Sequence, residues 1–152
     1  MSLWYRKVTA NIGEIVNAIS HFEQQIDQAK FECSMKGNLE KQSRDMPGIV
    51  EHRFNQLQEV EAILEHLNTE MRKLRSKTFR KYLESYNKAL SSRDAEKYVD
   101  GEQDVVDMQY LINDFSLVRN KFIGVIKALE AKQFQINNIV KLRAAGLEDI
   151  SL

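Results

Sequence analysis

The sequence predicts an all-α chain: a long antiparallel helical hairpin or bundle, packed in the manner of a coiled coil and completed by oligomerisation. Three observations predict it. Apolar residues recur at alternating spacings of three and four over long windows, which keeps one seam on one side of a helix. Breakers are rare, with 6 Gly and 1 Pro in 152 residues, and Lys, Glu, Gln, Leu and Ala are abundant, a composition that favours helix. No segment alternates with period two over a strand's length between turn signals, so no sheet is predicted. The length suits one helical domain, 1–152. Within it, 1–36 reads as an N-terminal amphipathic helix, 47–146 as a helical hairpin and 147–152 as a mobile tail.

Val8, Ile12, Ile15, Ile19, Phe22, Ile26, Ala29 and Cys33 form the first stripe. Gly13 lies inside it at a cost of about 1 kcal/mol relative to alanine. Met35-Lys36-Gly37 is its stop. Residues 37–46 are polar and read as a connection. Pro47 then fits the first turn of the next helix, with Asp45 or Met46 as its cap. The second stripe runs Val50, Phe54, Leu57, Val60, Leu64, Leu67, Met71 and Leu74, and passes into Phe79, Tyr82, Leu83, Tyr86 and Leu90. Ser91-Ser92-Arg93-Asp94 interrupts it, and a short helix is predicted over 94–99. Asp100-Gly101-Glu102-Gln103 has the form of a capping box. The last stripe holds Val105, Met108, Ile112, Phe115, Val118, Phe122, Val125, Leu129, Ile136 and Ile139, with Lys132 as an interruption and Gly146 as the C-cap.

A long helix with one apolar stripe must hide it against another helix. An antiparallel pairing of the second and last helices is the simplest arrangement. The first helix then packs on that hairpin or on a neighbouring subunit. Leu111, Ile123 and Ile126 sit off the main seam and offer a second face for self-association, unless the first helix of the same chain covers them. Phe122, Val125, Ile126, Leu129, Phe134, Ile136 and Ile139 are the candidate oligomerisation residues.

Catalysis needs convergent polar groups of tuned acidity, and the residues supply no such set; the chain is not expected to be an enzyme. His21, His52 and His66 have no histidine or Cys33 at i+3 or i+4, so zinc-ligand spacing is absent and no metal or other cofactor is expected. Glu59, Glu61 and Glu65 lack the Glu-x-x-His pair of a di-iron bundle. There is no Gly-rich phosphate loop and no nucleophile elbow. One cysteine, Cys33, excludes an intrachain disulfide and reads as a small buried hydrophobe. No window reaches the roughly 18 to 20 apolar residues of a membrane span, and Met1 to Arg6 do not have the form of a signal peptide. A cytoplasmic protein without a membrane partner is therefore expected.

The net charge is zero, with 22 basic and 22 acidic residues, but the charges are not evenly spread. Arg72, Lys73, Arg75, Lys77, Arg80, Lys81, Lys88 and Arg93 face only Glu84 within their stretch, and Phe79, Tyr82 and Tyr86 are interleaved. Arg119, Lys121, Lys127, Lys132, Lys141 and Arg143 face only Glu130. Between the two runs lie Asp94, Glu96, Asp100, Glu102, Asp104 and Asp107, opposed by Lys97. Cations that neutralise phosphates and rings that stack on bases are what single-stranded nucleic acid binding uses. The candidate binding residues are Arg72, Lys73, Arg75, Lys77, Arg80, Lys81, Tyr82, Tyr86 and Lys88. A solvated helical face with tyrosines at the core edge would have the same pattern. An anionic membrane surface fits less well, because rings and cations are not segregated onto opposite faces.

Three segments, in order, resemble the UvsY-type recombination mediator proteins of T-even-type phages. The C-terminal helix from Val125 to Ile139, with its Phe134-Gln135-Ile136-Asn137 core and its close on Arg143 and Gly146, is similar to the family's last helix. Glu96-Lys97-Tyr98-Val99-Asp100-Gly101-Glu102 resembles the family's short acidic helix and cap, and Arg80-Lys81-Tyr82 its basic helix ending in tyrosines. Together they span roughly 47–146. Tyr82 and Tyr86 are separated where the family pairs its tyrosines, Asn138 follows Asn137 where relatives often have Lys then Asn, and the first helix has no family counterpart. The resemblance implies a ring-like homo-oligomer that binds single-stranded DNA through positions such as Arg75, Lys77, Arg80 and Lys81. It also implies that the protein helps a RecA-like recombinase replace the single-strand-binding protein, with no cofactor. The alternative is a structural or scaffolding coiled-coil protein that binds no nucleic acid.

Overall fold

A computed structural model of the chain describes residues 3–85 and 90–146. Among them there are five α-helices and no strand: α1 (Leu3–Ala10), a 3₁₀ turn (Ile12–Glu14), α2 (Ile15–Glu32), α3 (Leu39–Ser85), α4 (Ser92–Gly101) and α5 (Gln103–Ala144). The all-helical class is as predicted, while three of the expected boundaries are not where the pattern put them.

The first stripe is not one helix. Asn11 is extended, at φ −149° and ψ 109°, and its side-chain oxygen accepts from the Gly13 amide. An asparagine side chain that satisfies a nearby amide offers the backbone an alternative to continuing the helix. The break re-sets the register: Ile12 is exposed, and Ala18 rather than Ile19 is fully buried.

The third helix starts at Leu39, well ahead of Pro47. Gly37 turns the chain at φ 99°. Asn38 then caps the helix, its side chain accepting from the Lys41 amide at 2.9 Å and its carbonyl from the Gln42 amide at 3.0 Å. Pro47 therefore lies inside α3 and has no N–H to give the Ser43 carbonyl. An interior proline costs about 3 kcal/mol; the Asn38 cap and the burial of Met46 oppose that cost.

The third correction concerns the turn before α5. The capping box does not form: the Asp100 carboxylate accepts from Arg75, and the Gln103 side-chain Nε2 donates to Asp107 rather than reaching back. Glu102, at ψ 131°, separates α4 from α5, and its carbonyl accepts the Val106 amide. A side-chain cap is instead found at the head of α4. Ser91 accepts from the Asp94 amide and donates to the Asp94 carboxylate at 2.7 Å. Gly146, at φ 72°, follows the end of α5 as the stripe predicted. The tail at 147–152 lies outside the described residues.

The chain divides into two compact units, one drawn from Met1–Ile19 and Glu59–Arg119, the other from Ser20–Gln58 and Asn120–Leu152. In the first, Val8, Val60, Ile63, Leu67, Phe115 and Val118 are fully or almost fully buried, and α4 is anchored through Ala95 and Val99. Glu59 accepts from the Trp4 and Tyr5 amides at 2.9 and 3.1 Å. These are first-turn amides of α1, which lack helical acceptors. Glu59→Ala is expected to destabilise the fold by about 1 kcal/mol, as loss of an N-terminal cap does. A thermal melt followed at 222 nm should show it, with the lost signal coming first from α1.

In the second unit the rings of Phe22 and Phe122 meet edge to face, 5.9 Å apart. Lys121 pairs with Glu23 at 3.4 Å, and the Lys132 ammonium donates to the Glu32 carbonyl at 2.7 Å. Partners thus rise together along α2 and α5. Against α3 the order reverses: Gln25 meets Gln56, while Glu32 meets Arg53. Arg53 is buried, with its Nε and Nη2 on the two Glu32 oxygens and its Nη1 on Gln25 and Gln56. Lys132, the interruption of the last stripe, therefore sits on one of the four terminal carbonyls of α2, where a cation also meets the negative end of the helix dipole.

Candidate nucleic-acid interface

The basic and aromatic end of α3 lies in the first unit. Lys73, Lys77 and Arg80 follow one another at i, i+4 and i+7, so they share one side of the helix, and all are exposed. Arg75 and Tyr82, seven residues apart, are on the side that meets α4. Arg72 reaches Glu65 at 3.3 Å and Lys73 reaches Glu70 at 2.7 Å, both along α3 itself. Lys77 and Arg80 have no acidic partner among the described residues. Tyr86 and Lys88, two of the candidate residues, lie outside the described residues.

The acidic stretch folds onto this end. Arg75 donates to Asp100 at 2.7 Å, Tyr82 Oη donates to Glu102 Oε2 at 2.6 Å, and Lys81 stands 3.5 Å from Glu102 Oε1. The hydrogen bond from Tyr82, with the neighbouring Lys81 charge adding to it, holds the Glu102 carboxyl below its ordinary value. Tyr82 also stacks on Tyr98 of α4, with ring centroids 5.4 Å apart and planes 23° from parallel, and the Lys81 ammonium lies 6.0 Å from the Tyr82 ring. Tyr98 remains 48% exposed. Arg75, Ser76, Phe79, Glu96 and Val99 line a shallow cleft of about 250 Å³ beside this stack.

Tyr98 is not among the candidate binding residues that the basic run singles out. The pattern of α4 marks it all the same: Ala95 and Val99 are one helical turn apart and make the buried side of the helix, which sets Tyr98 at the edge of that seam. The second basic run behaves differently. Lys132 is buried on Glu32 and Lys121 is held by Glu23, so neither is a free surface charge.

No family model, curated protein or solved structure matches the chain. What the site can do is therefore a matter of its own geometry. Among the described residues, this end of α3 carries two cations without an acidic partner, four more paired with carboxylates along α3 or at the α4–α5 junction, and a tyrosine stacked on α4. Cys33 is half-buried rather than fully buried, and partial burial, and after it the negative charge of Glu32, pushes its thiol above the ordinary value.

The candidate oligomerisation residues fall into three groups. Phe122, Val125, Leu129 and Ile136 are buried within the chain; Ile126 and Ile139 are half-buried; Phe134 is 64% exposed. The buried four pack in the intrachain core, and Phe134 is the most exposed of the set. Phe31, off the heptad seam of α2, is more exposed still, at 82%. Among the described residues no helix is long and apolar enough to cross a membrane.

Proposed function

We propose that the chain is a non-enzymatic, single-stranded DNA-binding recombination mediator. It works as a homo-oligomer and helps load a RecA-like recombinase onto strands coated with single-strand-binding protein. Two observations carry this reading: the exposed pair Lys77 and Arg80, without acidic partners among the described residues, and the Tyr82–Tyr98 stack on the side of α3 that meets α4. Phosphate neutralisation supplies sequence-independent affinity and stacking supplies hold on unpaired bases. An antiparallel α3–α5 hairpin fits the same reading: each helix contacts α2, and the partners run in opposite senses along α2. The ordered resemblance of 47–146 to phage mediators supplies the recombinase and the displaced single-strand-binding protein as partners.

The test is fluorescence anisotropy of a labelled oligonucleotide over a salt series. Binding should weaken steeply with salt. Lys77→Ala with Arg80→Ala should lower affinity roughly tenfold or more at 0.1 M salt and flatten the logarithmic salt slope by about 1.4, at about 0.7 per lost phosphate contact. No binding at low salt overturns the reading. The exposed Phe31 and Phe134 then favour the second one, a scaffolding protein that docks other proteins or copies of itself through aromatic side chains.

A further inference from the structure

The cations of the candidate interface are not equally available. Lys77 and Arg80 are open, whereas Arg75, Lys81 and the Tyr82 hydroxyl are all engaged by two carboxylates from the junction of α4 and α5. A carboxylate offers a guanidinium, an ammonium or a phenol what a phosphate offers: charged oxygens at hydrogen-bond distance. We propose that Asp100 and Glu102 act as an intramolecular phosphate mimic, an autoinhibitory clamp that a nucleic-acid strand must displace before Arg75, Lys81 and Tyr82 can hold its backbone. This rests on the single-strand binding reading and specifies how that site is regulated.

The geometry suits displacement. Asp100 and Arg75 are substantially exposed, as is Lys81, so solvent screens these pairs and they are weak. Glu102 belongs to neither helix, at φ −66° and ψ 131°. Ala95 and Val99 stay buried and hold α4 in place, so release needs only side-chain rotation. Lys77 and Arg80 stay open on another side of α3, and the clamped groups join them when a strand's phosphates outcompete the carboxylates. The clamp also orients the Tyr82 ring against Tyr98, so its opening frees the stack to take a base.

The experiment compares oligonucleotide binding by the full chain, Asp100→Asn with Glu102→Gln, and Asp104→Asn with Asp107→Asn. The last pair removes the same charge from exposed acids that touch none of these cations. Opening the clamp should tighten binding about tenfold at 0.1 M salt and steepen the salt slope by about 1.4, for two phosphates at about 0.7 each. The control pair should give a clearly smaller gain. Adding Arg75→Gln and Lys81→Gln to the opened variant should abolish its gain. Equal gains from both acid pairs, a gain that survives the Arg75 and Lys81 substitutions, or unchanged binding in the opened variant each overturn the clamp while leaving the site intact. If neither the wild type nor the opened variant binds at low salt, the site reading falls and the clamp falls with it. Circular dichroism of each variant, with its melting temperature, separates loss of fold from loss of contact.

Discussion

Phe122→Ala is expected to cost about 3–5 kcal/mol, the range for emptying a buried phenylalanine site. Phe122 is fully buried and packs edge to face on Phe22, itself fully buried, so truncation leaves a cavity and also removes an aromatic pair. Against a typical total stability of roughly 5–15 kcal/mol, that is a large fraction. Chemical denaturation followed by circular dichroism should show the midpoint fall, with a melting temperature lower by about 10 °C. Phe134→Ala on the same helix provides the contrast. Its ring is largely exposed, so stability should change by no more than about 0.5 kcal/mol, while any contact between copies that uses Phe134 should weaken. Sedimentation of the two variants separates a core role from an interface role. Equal destabilisation by both would contradict the burial assigned to α5.

Arg53→Ala is the second large effect. Arg53 is 2% exposed, and four of the five N–H donors of its head are used on Glu32, Gln25 and Gln56. Removing it strands the Glu32 carboxylate and the Gln56 side-chain oxygen, while Gln25 keeps its bond from Gln56. Breaking a fully buried pair costs about 3–5 kcal/mol; Glu32 keeps 28% of its side chain in solvent, so about 2–3 kcal/mol is expected here. Replacing both partners, Arg53→Met with Glu32→Leu, should bring the loss back to within about 1 kcal/mol of the wild type, since apolar substitution of a whole ion pair is often neutral. Urea midpoints for the two variants check this. A double variant as unstable as the single one would mean that Arg53 stabilises through something other than its pairing.

How far the fold was legible follows from what each residue does locally. The heptad positions of α3 and α5 marked their buried sides well: Val60, Leu64, Leu67 and Met71, and likewise Phe115, Val118, Phe122 and Leu129, are all in the core. Period is a property of the sequence itself, so it survives into structure. The boundaries were harder, because they are decided by competing caps. Asn38 won over Pro47, and Asn11 broke a stripe whose spacing alone was continuous. At the candidate interface, the basic run and its tyrosines were visible as composition. Invisible was the pairing of Arg75 with Asp100 and of Lys81 and Tyr82 with Glu102, since contacts 20 to 25 residues apart follow from how α4 folds back. For the oligomerisation set, an apolar heptad position looks the same whether its partner is another helix of the chain or another copy. Phe122, Val125, Leu129 and Ile136 turned out to serve the chain's own core.

The contact between the Lys132 ammonium and the Glu32 carbonyl has a consequence for slippage. An apolar seam with a seven-residue repeat is nearly degenerate: sliding one helix past its neighbour by a heptad lays apolar rows on apolar rows again. Lys132 removes that degeneracy. Moved one heptad toward the start of α2, its ammonium would leave the open last turn for carbonyls already bonded within the helix, stranding a charge and an unsatisfied carbonyl together. One lysine that looks like a flaw in the stripe thus acts as a detent, selecting a single alignment of α2 with α5 from the several that hydrophobicity alone would permit.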